Sequence, residues 1–395
     1  MFTRLPSLRK AALRLFAAMS LLWLAACDPT MLGGTPGNGG PSINPSAPVQ
    51  VALLVPGGSG QATDSFLAQN LENAARMAIA DLNGVAINLR VYNTAGNPQQ
   101  AAAMAAQAIN DGARIIIGPL YAEAANAAGL AAAQSGVNVL AFSNNTTIAG
   151  GNVFVLGATF RNTADRLVGY STAQGLDRIL IAHADDLQGN LGRDAIAAAA
   201  RANGATVTGV QSYAFSQDGI FQAAGPIAAA VSTTGAEAVF VTGGVNADLP
   251  ILATALPDRG FNPGATPLIG LTRWNAAPQA LSLPGLQGGY FALPDQGMTA
   301  GFESRYTATY GEAPHPLAGL AYDGIAAVGA LVADGNRAAL TRSALTQRSG
   351  FQGTSGIFRL LPNGTNERGL AVAQIRNNQV VIVDPAPRSF GGAGL

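Results

Sequence analysis

Residues 108–145 read AINDGARIIIGPLYAEAANAAGLAAAQSGVNVLAFSNN, and the fold turns on how this stretch divides. It gives a helix end, Gly112, a strand at Arg114–Ile117, a turn at Gly118-Pro119, a helix from about Glu123 to Gln134, Gly136 and a strand at Val139–Phe142. Both strands are short and, past Arg114, apolar. Strands of that kind are covered on both faces, which predicts a parallel sheet built from βαβ units. In such sheets ligands lie beyond the carboxyl ends of the strands. Here those ends are Gly118–Glu123 and Ser143–Thr146, the expected floor of a binding site.

Upstream, strand Val51–Val55 runs into Pro56-Gly57-Gly58-Ser59-Gly60. Asp64 or Ser65 is placed to cap a helix with Leu67, Leu71, Ala74, Ala78 and Leu82 on one face, ending at Gly84. Strand Ile87–Val91 follows, and Asn97-Pro98 opens the helix that leads into the quoted stretch. The pattern restarts after Val153–Leu156. Helices near 163–174, 193–203, 221–234 and 249–256 alternate with strands near 179–182, 206–210, 238–242 and 267–269. The tail adds helices at 299–310, 318–333 and about 341–347, then strands at 356–360, 370–376 and 379–383 joined by turns at Pro362-Asn363-Gly364 and Asn377-Asn378. The expectation is an α/β protein with two doubly wound lobes joined by a multi-strand hinge, and ligands favour such interfaces.

Composition narrows the partners. The only lysine is Lys10, and after residue 26 there are 18 basic against 22 acidic side chains, with no basic cluster. Phosphate-backbone binding lacks its electrostatic footprint, so no nucleic-acid partner is expected.

Arg4, Arg9, Lys10 and Arg14 precede the apolar run Leu15–Ala26, which is too short for an ordinary membrane span. The run ends Leu24-Ala25-Ala26-Cys27, resembling a bacterial lipobox whose thiol is acylated. An ordinary signal peptide with an incidental cysteine is the alternative. Each buried CH₂ of an acyl chain contributes roughly 0.8 kcal/mol, so two or three chains hold a protein at a membrane. Residues 28–48, rich in Gly, Pro, Ser and Asn, read as a flexible tether. Cys27 is the only cysteine, which excludes a disulfide framework within the chain.

IIIGPLYAEAANAA, VLAFSNNT, ILIAHADDLQGNLGRDAI, LAYDGIAAVGAL and FQGTSGIFRLLPNG, in that order, resemble the type I periplasmic binding proteins, closest to the leucine/isoleucine/valine-binding branch. The resemblance implies two lobes closing on a small solute, no chemistry and no cofactor, and delivery to an ABC permease. It divides the chain into a signal peptide at 1–26, acylated Cys27 and tether at 27–48, a first lobe at 49–157 plus 284–348, and a second lobe at 158–283 plus 349–388. By position, the groups that meet a ligand's carboxylate correspond to Ala122, Asn144 and Thr146, with Ala122 standing where the family has serine. The second-lobe tyrosine corresponds to Gln188, and the acid that holds an ammonium to Thr272. A buried ammonium without a carboxylate is costly, which argues against a free branched-chain amino acid. FSNN at Phe142–Asn145 and Trp274 in LTRWN look more like the penicillin-binding protein activators, lipoproteins of the same fold that stimulate peptidoglycan synthases.

The remaining candidates are read against plain structural roles. Pro56–Gly60, with Ser59, could cradle a phosphate or carboxylate, face the cleft, or form a simple tight turn; it lacks the P-loop Lys and the G-x-G-x-x-G spacing. Tyr121 could wall the site, while Glu123 is favoured by the helix dipole alone. His183, Asp185, Asp186 and Gln188 read as a polar rim rather than a metal site, the other histidine being distant His315. Arg273 offers a fork for carboxylate or phosphate and Trp274 a stacking surface, or else they are a surface arginine and a packed indole. Tyr322 and Asp323 read as structural. No Gly-x-Ser-x-Gly elbow and no metal-ligand spacing occurs, so no enzymatic activity and no metal are expected. The functional expectation is a lipid-anchored receptor on the periplasmic side of the envelope, binding a small polar solute through Ser59, Tyr121, Ala122, Asn144, Thr146, Gln188, Thr272, Arg273 and Trp274. The alternative is an activator working by contact with a peptidoglycan synthase.

Overall fold

Alternation along Val49–Val55 organises the first half of the chain. Val51, Leu53 and Val55 point to one face, where they pack with Leu67 and Leu71. Ala52 and Leu54 point to the other, against Ala101, Ala105, Ala124 and Ala128. The alanines let helices approach closely, and wholly buried Leu53 and Leu71 anchor the opposite layer. Truncating either leucine to alanine costs about 2–5 kcal/mol.

The computed structural model describes residues 40–391, so the expected signal peptide, Cys27 and most of the tether lie outside the described residues. The first half comprises β1 (Val49–Val55), α1 (Ala62–Asp81), β2 (Ile87–Asn93), α2 (Pro98–Asn110), β3 (Ile115–Ile117), α3 (Ala122–Ala133), β4 (Asn138–Ala141) and β5 (Val153–Val155). Its five strands are all parallel, in the order β2-β1-β3-β4-β5. Asn97 opens α2 by accepting from the N–H of Gln100 at 3.0 Å, with Pro98 in the first turn. By contrast, α1 starts at Ala62 with Gln61 before it, so neither Asp64 nor Ser65 serves as the cap.

The second half repeats this winding with α4 (Phe160–Ala173), β6 (Arg178–Ala184), α5 (Leu187–Asn203), β7 (Thr206–Tyr213), α6 (Gln217–Thr234), β8 (Ala238–Val241), α7 (Leu249–Asp258), β9 (Leu268–Gly270) and β10 (Tyr290–Leu293). The order β7-β6-β8-β9-β10 matches the first sheet position for position. It is extended by antiparallel β14 (Ala371–Arg376) and β15 (Gln379–Asp384). A reciprocal capping box between Thr159 and Asn162 starts α4. Asp186 caps α5, accepting from the Gly189 N–H at 2.7 Å.

The tail is shared between the halves. Helices α8 (Gln296–Tyr310) and α9 (Ala318–Ala333) send Phe302, Tyr306, Ile325 and Val328 into the first core, followed by short α10 (Arg342–Leu345). Strands β11 (Phe351–Gly353), β12 (Gly356–Leu360) and β13 (Asn366–Arg368) form a small antiparallel sheet. The architecture is the expected two-lobed α/β fold, with three crossings between lobes: β5 to α4, β10 to α8, and β13 to β14.

Two expected boundaries differ from this arrangement. Residues 290–293, placed in the first lobe by the 284–348 division, form β10 and pair with β9 and β14 in the second sheet. Conversely, Phe351, Phe358 and Leu360, assigned to the second lobe, are buried in the first core. The first difference arises from pairing with β14, distant in sequence, and the second from packing of β11 against α9, neither of which local patterning encodes.

Candidate functional site

The first wall is built from the turns after β3 and β4. Gly118 has φ 85°, and a Cβ there would lie 2.2 Å from the Leu54 carbonyl oxygen, so only glycine lets β3 leave the sheet this way. Tyr121 follows on the rim. Its phenol donates to Asp64 Oδ1 at 2.5 Å, and that bond, with some burial, holds the phenol pKa up at about 12. After β4, buried Ser143 accepts from the N–H of Asn145 at 3.1 Å, and Asn145 Oδ1 accepts from both the N–H and hydroxyl of Thr147. These local bonds occupy Ser143 and Asn145. The exposed side chains of Asn144 and Thr146 make no hydrogen bond to any described residue and line the crevice. Gly157, on the first crossing, passes so near that a Cβ would meet the Ser143 carbonyl oxygen at 2.6 Å.

The second wall is more apolar. The first turns of α5 present Leu187, Gln188 and Leu191, with Ala195 and Ala198 behind them. Leu187 is 72% exposed and Leu191 45%, high values for large aliphatic side chains beside a crevice. Phe160 from α4 and Leu271 after β9 extend the strip, and Arg273 stands at its edge.

At the hinge, polar groups are packed in. Asn366 donates to the carbonyls of Val155 at 2.7 Å and Gly157 at 2.9 Å. Arg368 donates to the Leu156 carbonyl and approaches Asp323 at 3.5 Å, while Asp323 accepts from the Thr354 N–H at 2.6 Å. Burial pushes the Asp323 carboxyl above its ordinary value, and Arg368 and the Thr354 N–H pull it back in part. Nearer the mouth, Asp165 pairs with Arg161 at 2.6 Å; burial raises its pKa and the arginine opposes that. His315 also lines the space; its Nδ1 accepts from the Leu317 N–H at 3.1 Å, and burial lowers its pKa.

Together the walls enclose about 1280 Å³ between the lobes. Of the residues expected there, Tyr121, Ala122, Asn144, Thr146, Gln188 and Arg273 line it. Three do not. Ser59 accepts from the N–H of Gln61 at 3.2 Å at the start of α1. Thr272 spends its hydroxyl on the Gly243 carbonyl at 2.9 Å. Trp274 is 0% exposed and packs on Phe291 with ring centroids 5.4 Å apart. The expected polar rim after β6 is also reduced: His183 is buried with Nδ1 2.8 Å from the Ala184 carbonyl oxygen, Asp186 caps α5, and only Gln188 reaches the crevice.

Sequence reading missed the hinge lining: Asp165, Thr299, Glu303, Asn366, Glu367 and Arg368. No local signal marks them, because the bonds that place Asn366 and Arg368 span more than two hundred residues. Among the described residues no group of three or more His, Cys, Asp or Glu is placed to hold a metal, and no helix is long and apolar enough to cross a membrane.

Solved structures share this arrangement. A protein of Rhodospirillum rubrum, described as a branched-chain amino acid ABC transporter, superposes with a TM-score of 0.70 at 18% identity, over 85% of this chain and 100% of the other. An ABC transporter substrate-binding protein of Desulfitobacterium hafniense in complex with Leu gives 0.59 at 19% identity, over 85% and 100% of the two chains. A solute-binding protein of an ABC transporter from R. palustris, in complex with benzoate, gives 0.52 at 16% identity, over 88% and 99%. A search of curated proteins finds no match to the chain. The family described as "Periplasmic binding protein" matches residues 48–379, nearly the whole of the two-lobed unit. With that match, the repeated sheet order and the crevice between the lobes, the chain belongs to the periplasmic binding protein family.

Proposed function

We propose that this chain is a solute receptor for an ABC-type permease, binding one small polar molecule between its lobes without transforming it. The single observation that carries the reading is the crevice of about 1280 Å³. It is bordered by strand-end turns of both sheets, with Asn144 and Thr146 on one side and Gln188 and Arg273 on the other. Asn144 and Thr146 are the hydrogen-bonding groups on the first wall, Tyr121 its aromatic edge, and Gln188 the polar contact on the second. Cys27 is the acylated anchor that keeps the receptor on the periplasmic side of the envelope, and residues 28–48 are its tether. The reading as a penicillin-binding protein activator rested in part on Trp274, whose buried indole offers no surface to a partner.

Thermal unfolding tests the proposal. A solute present at a hundred times its dissociation constant stabilises the folded chain by about 2.7 kcal/mol. A screen of sugars, amino acids, carboxylates, peptides and muropeptides is expected to raise the melting temperature for one chemical class. Thr146→Ala is expected to shrink that rise while leaving the unliganded melting temperature in place. If no class moves the transition, the receptor reading fails.

A further inference from the structure

We propose that Arg273 holds the anionic group of the solute, and that the solute is a carboxylate with an apolar body; this rests on the receptor reading above. Arg273 lies three residues beyond the carboxyl end of β9 and lines the crevice. Its backbone is fixed on both sides. The Thr272 hydroxyl is bonded to the Gly243 carbonyl, and the Trp274 ring is buried against Gly270, where a Cβ would lie 2.3 Å from Nε1. Only the arginine side chain projects from this clamped segment, and it is exposed. Among the described residues it makes no ion pair, hydrogen bond or ring contact.

The other arginines lining the crevice are already engaged. Arg161 is paired with Asp165 at 2.6 Å, and Arg368 with Asp323 at 3.5 Å. The second-lobe acids that line the crevice are likewise taken, Asp165 by Arg161 and Asp194 by Arg193 at 2.8 Å; Glu303, which lines it from α8, makes no ion pair with any described residue. That wall therefore presents one uncommitted charge, and it is positive. A guanidinium fork fits a carboxylate with two parallel charge-assisted hydrogen bonds. An ammonium turned to this wall would meet Arg273 and no free carboxylate. Beside the arginine run Leu187, Leu191 and Leu271, two of them well exposed, which gain by covering an apolar body.

The experiment is calorimetric titration of the full chain with 4-methylpentanoate and phenylacetate, each beside its primary amide, and with a panel of uncharged sugars. Wild type is expected to bind the acids and to bind the amides at least tenfold more weakly. Arg273→Gln, whose unliganded melting temperature is expected to match wild type, should weaken the acids by about tenfold to a hundredfold. The amides should be unaffected, and Arg273→Lys should fall between. Equal binding of acid and amide, or an Arg273→Gln effect below twofold, overturns the assignment and leaves the receptor reading standing. So does binding confined to sugars. If no solute class binds, the receptor reading itself fails and the assignment goes with it.

Discussion

Asn366 donates its side-chain amide to the Val155 carbonyl at 2.7 Å, joining the start of β13 to the end of β5, more than two hundred residues away in sequence. The same amide reaches the Gly157 carbonyl at 2.9 Å, so one side chain ties β13 to the first segment that connects the lobes. Asn366 is only 4% exposed, and its partners would be left buried without it.

Asn366→Ala is therefore expected to destabilise the chain by about 2–6 kcal/mol, since each of the two buried carbonyls deprived of its donor costs about 1–3 kcal/mol. Urea unfolding with an unchanged m-value checks this. A loss below about 0.5 kcal/mol would contradict the tie.

Asp323 and Arg368 form a pair buried at the hinge, with side chains 1% and 6% exposed. Removing one member leaves the other charge buried without its partner, which costs about 3–5 kcal/mol. Asp323→Leu should show that loss, and Asp323→Leu with Arg368→Met should recover much of it. A double variant no more stable than the single one would show that packing, not the ion pair, holds this position.

Tyr121 offers a test in alkali. Its phenol, ordinarily near 10, is held at about 12 chiefly by donation to Asp64. Because the folded value is raised, the bond's contribution is complete below pH 10 and is lost as pH rises through about 12. Burial also raises Tyr92, Tyr213 and Tyr322 among others, so ultraviolet titration at 295 nm is read as a difference from wild type: Asp64→Asn should shift one late step toward the ordinary value, and Tyr121→Phe should remove that same step. If Asp64→Asn leaves every titration step in place, the bond does not exist in solution.

The sign reverses at His315. Burial depresses its pKa below the ordinary 6.5, and protonation of Nδ1 would break the bond from the Leu317 N–H. Its contribution is present above pH 6.5 and is lost as pH falls through the depressed value. Stability of wild type relative to His315→Asn should therefore decline between pH 7 and pH 5. A flat difference across that window would contradict the assignment.

How much of this was legible in the sequence follows from where each residue finds its partners. Strand periodicity gave both windings, since Val51, Leu53 and Val55 alternate with Ala52 and Leu54 however the chain closes. The turns after β3 and β4 were legible for the same reason, and Tyr121, Asn144 and Thr146 line the crevice. Trp274 was not legible. Its place in the order suggested the rim, yet Gly270 and Gly289, lacking side chains, open a slot over β9 and β10 that draws the indole inward. Thr272 is turned by a carbonyl twenty-nine residues earlier, and Ser59 by a bond that starts a helix. The hinge residues Asn366 and Arg368 are set by the first crossing, so a turn-rich hairpin gave no hint of their position.

The central claim is that one solute sits between the two windings and touches both. A crystal structure of the chain grown with a solute that raises its melting temperature tests this most directly. The account predicts density for that solute within hydrogen-bonding distance of Asn144 or Thr146 on one lobe and of Gln188 or Arg273 on the other. Density confined to a single lobe, or lodged outside the crevice, would contradict it.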